Sequence, residues 1–358
     1  KLLQAARKAL DQGESQLDEL RICGLRASYN GVEDIVDAIV KSGMAVRHLS
    51  MESNDIGDSG VVTLARILDH GSLYRCELAS LDLRGNNVGP EGCKLLAEHL
   101  SKNVTLTSLD LSSNPLGNVG ASFIAQLLAE NTTITRLIIG NTEMTERGFA
   151  AMSAILRAGN STLRELSIGG QLIRSREEVV AYQAARVLET SCCALRSLEL
   201  QSSGIGDEGS FLLCDALAQQ PTMEHLDLSR NQIGITGGQA LARLLLANPM
   251  LTGLVLQANR ITDEGAKAFR VVLLHNKTLT TLDLRYNDIH DPGLEALAEG
   301  MECNSSVERL LVWGNHFGLA SLERFAGLEE GRFALVGFFL DVKPFVVDGE
   351  YHAAERVA

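Results

Sequence analysis

The feature that most constrains the fold of this chain is a repeat with the pattern Leu-x-x-Leu-x-Leu-x-x-Asn-x-Ile. The repeat recurs eleven times, and six of the ten intervals between successive central leucines are 28 residues long. These central leucines are Leu20, Leu49, Leu81, Leu109, Leu137, Leu166, Leu198, Leu226, Leu254, Leu282 and Leu310. Because so small a unit cannot bury an apolar face alone, neighbouring repeats must stack into a solenoid.

Each repeat combines two periods. Leu109 and Leu111 flank the polar Asp110, and this alternation is typical of a short strand. Apolar residues then follow 15 and 18 residues after the central leucine, as Ile124 and Leu127 do, and such spacing indicates one face of a helix. The sequence therefore predicts an α/β horseshoe solenoid of about eleven repeats, with a parallel β-sheet inside and helices outside.

An asparagine stands five residues after the central leucine in seven of the repeats. We expect its amide to bond backbone groups that leave the strand ladder, at about 1 kcal/mol for each bond. The seven are Asn54, Asn86, Asn114, Asn231, Asn259, Asn287 and Asn315. The same position holds Leu25, Thr142, Gln171 and Ser203 in the other four repeats. We therefore predict that residues 137–210 are looser or differently curved than the rest.

Two further columns mark the ends of the predicted helices. A glycine stands 11 residues after the central leucine in nine repeats, which predicts close backbone approach where the helix begins. Five Asn-x-Ser/Thr sequons lie six residues before a central leucine, at Asn103, Asn131, Asn160, Asn276 and Asn304. Because asparagine tolerates the left-handed conformation at helix C-termini, we interpret them as helix caps rather than glycosylation sites.

Charge and composition restrict the function classes. The net charge of −13 and the absence of a Lys/Arg run disfavour nucleic acid and anionic membrane surfaces as partners. No apolar stretch approaches the roughly 20 residues that a membrane helix needs. The seven cysteines form no CxxC pair, which favours reduced thiols in the cytoplasm.

The domain organisation predicted from these patterns has three parts. Residues 1–16 read as an N-terminal capping helix, 17–317 as the solenoid and 318–358 as a C-terminal cap. With only 6 prolines and no linker composition, one continuous body is expected. Asp348-Gly349, between two apolar segments of the cap, predicts the turn of a β-hairpin.

One motif suggests a nucleotide site. Residues 204–209 satisfy G-x-G-x-x-G between a strand and a helix. However, Ile205 and Gly209 are ordinary repeat positions, so we interpret the match as coincidence of register. No P-loop, G-x-S-x-G or H-E-x-x-H motif occurs. The eight histidines do not have the spacing of metal ligands, and we interpret His290 and His316 as solvated turn residues. We predict no catalytic residue, cofactor, metal or small-molecule substrate.

Carboxylates recur one residue after the central leucine, on the expected inner face, at Asp82, Asp110, Glu199, Asp227 and Asp283. Neighbouring strands lie about 4.8 Å apart, which raises the possibility of paired catalytic carboxylates. We favour a solvated acidic ladder, because nothing supplies a nucleophile or a metal partner. Such a ladder would attract a basic protein and raise its association rate.

The inner face of the last four repeats carries residue types that dominate binding hot spots. The predicted partner-binding residues are Arg230, Val255, Gln257, Arg285, Tyr286, Leu311 and Trp313. The alternative is that the C-terminal cap folds over Trp313, the single tryptophan. Two repeats extend to 32 residues near SLYRCE and RSREEVVAYQ, and these insertions serve either contacts or no function.

The unit LTSLDLSSNPLGNVGASFIAQLLAEN resembles the ribonuclease-inhibitor class of leucine-rich repeats, and the match extends from Leu17 to Phe317. This resemblance implies the horseshoe fold. The class includes the ribonuclease inhibitor, the Ran GTPase-activating protein, innate-immune sensors and ciliary proteins. The cysteine-rich consensus of the inhibitor and the acidic tail of the Ran activator are missing here, and no stimulatory arginine can be placed.

The segment DVKPFVVDGEYHAAE resembles the ending of the leucine-rich repeat-containing protein 34 family. That resemblance implies a protein of ciliated and germ cells, in axonemal complexes such as radial spokes. The leading hypothesis is a non-enzymatic scaffold in the cytoplasm or axoneme that binds other proteins, axonemal subunits above all. The alternatives are a regulator of an enzyme, either inhibitor or GTPase activator, and the sensor region of an immune receptor with an upstream nucleotide-binding domain.

Overall fold

A computed structural model describes residues 16–24, 28–43, 45–68, 77–171, 178–190, 193–330, 339–347 and 350–356. The chain divides into two compact units. The first unit contains residues 1–174 and 190–194, and the second contains residues 175–189 and 195–358. Among the described residues, no helix combines the length and the apolarity required to cross a bilayer.

The first unit alternates short strands with helices, and its strands pair in parallel in chain order. Its strands are β1 (Gln16–Arg21), β2 (Ala45–Ser50), β3 (Ser80–Asp82), β4 (Ser108–Asp110), β5 (Arg136–Ile138) and β6 (Glu165–Ser167). Its helices are α1 (Ser28–Ser42), α2 (Gly57–Leu68), α3 (Pro90–Leu100), α4 (Gly117–Glu130) and α5 (Glu146–Arg157). The central leucines stand opposite one another in this ladder, as Leu81 and Leu109 do.

The second unit continues the same alternation and ends in an antiparallel hairpin. Its helices are α6 (Val179–Leu188), α7 (Asp207–Ala218), α8 (Ile235–Ala247), α9 (Thr262–His275), α10 (Asp291–Glu302) and α11 (Leu319–Glu330). Its parallel strands are β7 (Ser197–Glu199), β8 (His225–Asp227), β9 (Gly253–Val255), β10 (Thr281–Asp283), β11 (Arg309–Leu311) and β12 (Phe339–Leu340). The hairpin consists of β13 (Val342–Val347) and β14 (Glu350–Glu355).

The core of each unit lies between its strand ladder and its helices. The central leucines from Leu49 to Leu310 are at most 3% exposed. The predicted helix faces are buried too, since Ile124 and Leu127 of α4 are at most 1% exposed. Consecutive helices within a unit pack against one another. The predicted α/β repeat solenoid, with strands on one side and helices on the other, is confirmed in each unit.

The asparagine column forms the predicted bonds. The side-chain amide of Asn114, which is 1% exposed, donates to the carbonyls of Leu83 and Leu111, both at 2.9 Å. Its Oδ1 accepts the amides of Asn86 at 2.8 Å and Val88 at 3.0 Å. Each buried asparagine thus joins its own turn to the turn of the preceding repeat, which satisfies backbone groups that the strand ladder leaves.

Thr142 and Gln171, which replace asparagine in this column, nevertheless form equivalent bonds. The Oε1 of Gln171 accepts the amides of Thr142 at 3.1 Å and Met144 at 3.2 Å. Its Nε2 donates to the carbonyl of Ile139 at 2.5 Å, and the Thr142 hydroxyl donates to the same carbonyl at 2.9 Å. The longer side chain of Gln171 therefore replaces an asparagine. The Ser203 amide donates to the Oδ1 of Asn231 at 2.9 Å. Leu25 lies outside the described residues, and the looser middle region stays a prediction.

The glycine column accommodates neighbouring side chains, and the close backbone approach that we expected is found at Gly293, where a Cβ would lie 2.9 Å from the Cα of Asp263. The Oδ1 of Asp207, in the first turn of α7, accepts the amides of Gly234 at 2.7 Å and Gly237 at 3.0 Å. A Cβ at Gly237 would lie 2.6 Å from that oxygen. Asp207 thus caps the start of α8 in the next repeat, where backbone amides lack helical partners. Asp58 and Asp263 form the same kind of bond with the repeats that follow them.

The sequon asparagines terminate helices as expected, but through another conformation. The Nδ2 of Asn131 donates to the carbonyl of Leu100, the last residue of α3, at 2.8 Å. Its Oδ1 accepts the amides of Thr133 and Ile134, both at 2.8 Å. The φ of Asn131 is −80°, so the predicted left-handed conformation is wrong. The Asn131 side chain is 3% exposed, so its amide is buried and caps the C-terminus of the helix.

The predicted C-terminal cap contains a hairpin and also a strand that the repeat pattern did not predict. Strand β12 pairs with β11 in register, with Leu340 opposite Leu310, and β13 and β14 contact α11. The predicted turn at Asp348-Gly349 lies outside the described residues, although Val347 and Glu350 pair on either side of it. Residues 1–15 of the predicted N-terminal helix and most of the first insertion also lie outside, so the domain boundaries stay a prediction.

Candidate functional site

The predicted partner-binding residues lie on one surface of the second unit. We call this surface the strand face, and define it by the residues one, three and four positions after each central leucine. Arg230 and Tyr286 are exposed, Tyr286 by 47%. Val255, Gln257, Arg285 and Trp313 are half-buried. The structure therefore brings most of the predicted set to one accessible surface.

Leu311 is the exception within this set, because it is 7% exposed and belongs to the core. Strand β12 pairs with β11 and covers this end of the ladder. Asp283, on the neighbouring strand β10, is 2% exposed, so its assignment to a solvated acidic ladder is wrong. Arg285 binds the Asp283 carboxylate through both Nε and Nη2, the latter at 2.6 Å from Oδ2. This bidentate pair compensates the buried charge.

The fourth position of the strand face has a left-handed backbone in all eleven repeats. The residues there are Gly24, Ser53, Gly85, Ser113, Asn141, Gly170, Ser202, Arg230, Ala258, Tyr286 and Gly314. Most of them are small, as the steric cost of positive φ requires. Arg230 at φ 55° and Tyr286 at φ 54° are the bulky members. A strained conformation for a large side chain costs on the order of 1 kcal/mol or more, and such outliers concentrate at functional sites.

The tyrosine of this pair rests on a prepared surface. The Tyr286 ring lies directly against Gly314, where a Cβ would collide with the ring. The Tyr286 amide donates to the carbonyl of Trp313 at 3.0 Å. The Trp313 ring in turn stacks on Phe317 with 6.5 Å between ring centroids. The Tyr286 ring is therefore supported by the next repeat and the Trp313 ring by its own repeat before any partner binds.

The C-terminal cap reaches Trp313 through the backbone. The Oδ2 of Asp341 accepts the Trp313 amide at 3.1 Å, whereas the indole ring stacks on Phe317 of its own repeat. The side chain is half-buried. These contacts are compatible with a stabilising role and with partner binding, so both predictions for Trp313 stand.

The acidic positions of the first unit form one neighbouring pair. Asp82 and Asp110 stand opposite each other on β3 and β4. The hydroxyl of Ser50 donates to Asp82 at 3.0 Å, and that of Ser112 donates to Asp110 at 2.6 Å. Burial raises the pKa of Asp110, the Ser112 hydrogen bonds oppose this shift, and the Asp82 charge adds to it. Beyond Asp110, the ladder continues with Ile138, not with an acid.

In the second unit, Glu199 and Asp227 are the corresponding pair on β7 and β8. Both are half-buried. Val255 separates Asp227 from Asp283. Of the predicted acidic ladder, the structure therefore retains one accessible neighbouring pair on the strand face of each unit, and the buried Asp283 is not part of it.

A cleft in the first unit was missed by sequence reasoning. It encloses about 260 Å³ on the strand face of the first repeats, and its lining includes Arg21, Cys23, His48, Glu52 and Arg84. The Arg84 guanidinium lies 3.1 Å from the Glu52 carboxylate and 3.5 Å from that of Asp82. The cleft could have been predicted from the charged residues that stand one and three positions after the central leucines of consecutive repeats. The cleft offers both signs of charge to a polar partner.

The glycine motif at residues 204–209 is occupied by a side chain of this chain. The Gly206 amide donates to the Oε1 of Glu178 at 2.8 Å, and a Cβ at Gly209 would collide with Oε2. Burial raises the pKa of Glu178, and the Gly206 amide opposes this shift. Glu178 thus takes the position at the start of α7 that a phosphate would need. This geometry supports the interpretation of the motif as a repeat feature.

Two histidines that the sequence placed apart are neighbours. The rings of His290 and His316 stack with centroids 4.4 Å apart, and His316 Nε2 lies 3.0 Å from Asp288 Oδ1. Both are exposed turn residues, as predicted, but the inference from their linear spacing that they cannot share a ligand is wrong for this pair. Their proximity could have been predicted from their positions in the repeat, because the corresponding turns of consecutive repeats lie next to each other.

Three comparisons relate these observations to known proteins. The Leucine Rich repeat family matches residues 45–65, 78–97, 102–125, 191–214, 219–242, 247–269 and 275–298. The mouse (Mus musculus) protein "NACHT, LRR and PYD domains-containing protein 4E" is 24% identical over 58% of this chain and 18% of its own length. The bovine (Bos taurus) "NACHT, LRR and PYD domains-containing protein 5" is 27% identical over 60% of this chain and 17% of its own length. This chain therefore spans less than a fifth of these relatives.

Among solved structures, an internalin from Listeria monocytogenes aligns with 90% of this chain and 91% of its own, at 15% identity and a TM-score of 0.49. The family that matches is defined by a repeat and not by a catalytic domain. Stacked repeats of this kind present extended surfaces to other proteins. In repeat sequence, strand–helix alternation and parallel ladders, this chain has the leucine-rich-repeat fold.

Proposed function

We propose that this chain is a non-enzymatic scaffold that binds other proteins through the strand face of its second unit. The observation that carries the proposal is the left-handed backbone of Arg230 and Tyr286. Other repeats place glycine, serine, asparagine or alanine at this position, so the two large side chains destabilise the fold locally. Partner binding gives a reason to keep them there, since Arg and Tyr are enriched in hot spots.

The surroundings of Tyr286 support the same proposal. Its ring is supported by Gly314, and Trp313 is stacked on Phe317, so both rings are ordered before binding. Preorganised side chains lose less conformational entropy on association, which improves affinity. Arg285 contributes less, because its guanidinium is already paired with Asp283.

Replacement of both strained residues by serine tests the proposal. Serine occupies this position in other repeats, so Arg230→Ser with Tyr286→Ser preserves the fold. Proximity labelling in ciliated cells, with the intact chain and the double variant compared, should identify partners that the variant loses. Val271→Ser is the matched control, because Val271 is 40% exposed on α9 and lies outside the strand face. An identical set of labelled proteins for the intact chain and the double variant contradicts the proposal.

For the cellular role, we propose a structural component of ciliary axonemal complexes such as radial spokes, located in the cytoplasm and in the axoneme. The support is the resemblance of residues 341–355 to the ending of leucine-rich repeat-containing protein 34 and its relatives. Fractionation of detergent-extracted axonemes is the direct test. Co-purification with axonemes is the expected result. Recovery only as a soluble one-to-one complex with a nuclease or GTPase would instead support a regulator of an enzyme.

A second candidate is the sensor region of a longer receptor. The similarity to two proteins whose names include NACHT and PYD domains, confined to less than a fifth of their length, favours this candidate. It predicts a nucleotide-binding domain encoded upstream of Lys1. Sequencing of the full transcript tests it, and a reading frame without such a domain excludes it.

A further inference from the structure

The turns of consecutive repeats are held at a fixed offset in the second unit. At three junctions, the residue six positions after a central leucine donates its amide to the carbonyl of the seventh-position residue in the preceding repeat, whereas between the ninth and tenth repeats the Thr262 amide donates to the carbonyl of Asn287 at 3.1 Å. Arg260 donates to Ile233 in this way, and His316 to Ile289, each at 2.8 Å. The sixth residue of one repeat therefore lies beside the sixth and eighth residues of the repeat before it.

Between the tenth and eleventh repeats, these three positions hold Asp288, His290 and His316. One potential ligand atom from each lies within 4.8 Å of the other two. No other pair of consecutive repeats in the sequence has a histidine, cysteine or carboxylate at all three positions. The cluster thus results from two adjacent turns and is not a general property of the repeat.

We propose that Asp288, His290 and His316 bind a divalent transition metal ion, with Zn²⁺ as the representative ion. Two imidazoles and one carboxylate form a ligand set that Zn²⁺ uses, and water would fill the remaining coordination positions. Ligand atoms around Zn²⁺ stand about 2.0–2.2 Å from the ion, so His316 Nε2 and Asp288 Oδ1, 3.0 Å apart, are already close enough to share one, and the third ligand atom must approach them. The side chains of His316 and Asp288 are 58% and 66% exposed, so rotation about their side-chain bonds is unobstructed.

The backbone that carries these ligands is already positioned. The His290 amide donates to the Oδ1 of Asp263 at 2.7 Å, and the His316 amide is bound to Ile289. The imidazole of His316 already faces the Asp288 carboxylate. Metal binding therefore replaces the contact between His316 and Asp288 by coordination bonds and leaves the turns in place. This site is independent of the proposed partner binding.

Titration of the intact, metal-free chain with ZnCl₂ by calorimetry tests the site, with Co²⁺ absorption as a second readout. We expect one Zn²⁺ at this cluster, and a loss of affinity of at least roughly 10-fold in His290→Ala, His316→Ala and Asp288→Asn. Co²⁺ should show ligand-field bands without the thiolate charge-transfer absorption that cysteine coordination produces. Thermal unfolding of each variant checks that the fold is retained.

His275→Ala is the matched control, because His275 is an exposed histidine at the end of α9, outside the cluster. It should bind Zn²⁺ like the intact chain. Zn²⁺ affinity unchanged in both His290→Ala and His316→Ala would overturn the proposal and leave an Asp–His hydrogen bond with stacked rings. Thiolate charge-transfer absorption that accounts for all bound Co²⁺ would overturn it as well.

Discussion

The amide of Val312 donates a hydrogen bond of 2.8 Å to the Oδ1 of Asp341. In the preceding repeat, the equivalent amide of Leu284 donates to a backbone carbonyl of the next strand, that of Leu311, also at 2.8 Å. The carbonyl of Asp341 itself accepts the amide of Arg356 from the hairpin. The carboxylate of Asp341 therefore replaces a strand carbonyl and terminates the ladder at the point where the chain turns into the cap.

This arrangement makes the stability of the second unit depend on pH. Burial raises the pKa of Asp341 to about 6, Asp283 adds to this shift, and the Val312 and Trp313 amides and Arg285 oppose it. The pKa of Asp341 is higher in the folded protein than in the unfolded chain. Its contribution to the free energy of unfolding is therefore fully present below about pH 4 and is lost as pH rises through about 6. Between pH 4 and 7, the free energy of unfolding of the intact chain should fall by on the order of 3 kcal/mol relative to that of Asp341→Asn.

Thermal unfolding at several pH values measures this difference, because other carboxyl groups contribute equally to both proteins. A constant difference between the intact chain and Asp341→Asn across that pH range contradicts the assignment of the raised pKa to Asp341.

Asn114→Ala should destabilise the first unit. The substitution leaves the amides of Asn86 and Val88 and the carbonyls of Leu83 and Leu111 without their partner in a buried region. We expect a loss of about 2–4 kcal/mol in the free energy of unfolding, measured by urea denaturation. Gln126→Ala, on the exposed side of α4, is the control and should change this free energy by less than about 0.5 kcal/mol. Equal effects of the two substitutions would refute the role given to the asparagine column.

Asp207→Ala should weaken the junction of two consecutive repeats. Asp207 binds the amides of Gly234 and Gly237 and the hydroxyl of Thr236 at the start of α8. Loss of a helix cap costs about 0.5–2 kcal/mol, which we expect in denaturant unfolding and in faster amide exchange at residues 234–238. Glu208→Ala controls for charge in the first turn of α7, since Glu208 is exposed. Amide exchange at these residues that Asp207→Ala leaves unchanged counts against the cap.

The sequence predicted the repeat core because that information is local and periodic. Leu81 and Leu109 stand opposite each other as the 28-residue interval requires, and Ile124 and Leu127 face the core. The asparagine bonds were predicted for the same reason. In contrast, Gln171 compensates for the missing asparagine through the extra length of its side chain. Comparison of residue types at equivalent positions does not reveal this compensation.

Features that arise between repeats or at the end of the ladder were not predicted. Strand β12 carries Leu340 without the complete repeat pattern, and its pairing with β11 covers the end of the ladder that the sequence had assigned to partners. Leu311 and Asp283 are buried there. The contact between His290 and His316 depends on the alignment of two turns, and a scan of the linear sequence for ligand spacing does not detect it.

The central claim is that the strand face of the second unit binds proteins through Tyr286 and its neighbours. Isothermal titration of a purified partner against the intact chain, Tyr286→Ser and Val271→Ser tests it most directly. We predict that Tyr286→Ser weakens binding by at least about 30-fold, equivalent to about 2 kcal/mol, and that the melting temperature is unchanged or higher. Val271→Ser should bind like the intact chain. Undiminished binding by Tyr286→Ser would contradict the account, whatever Val271→Ser does.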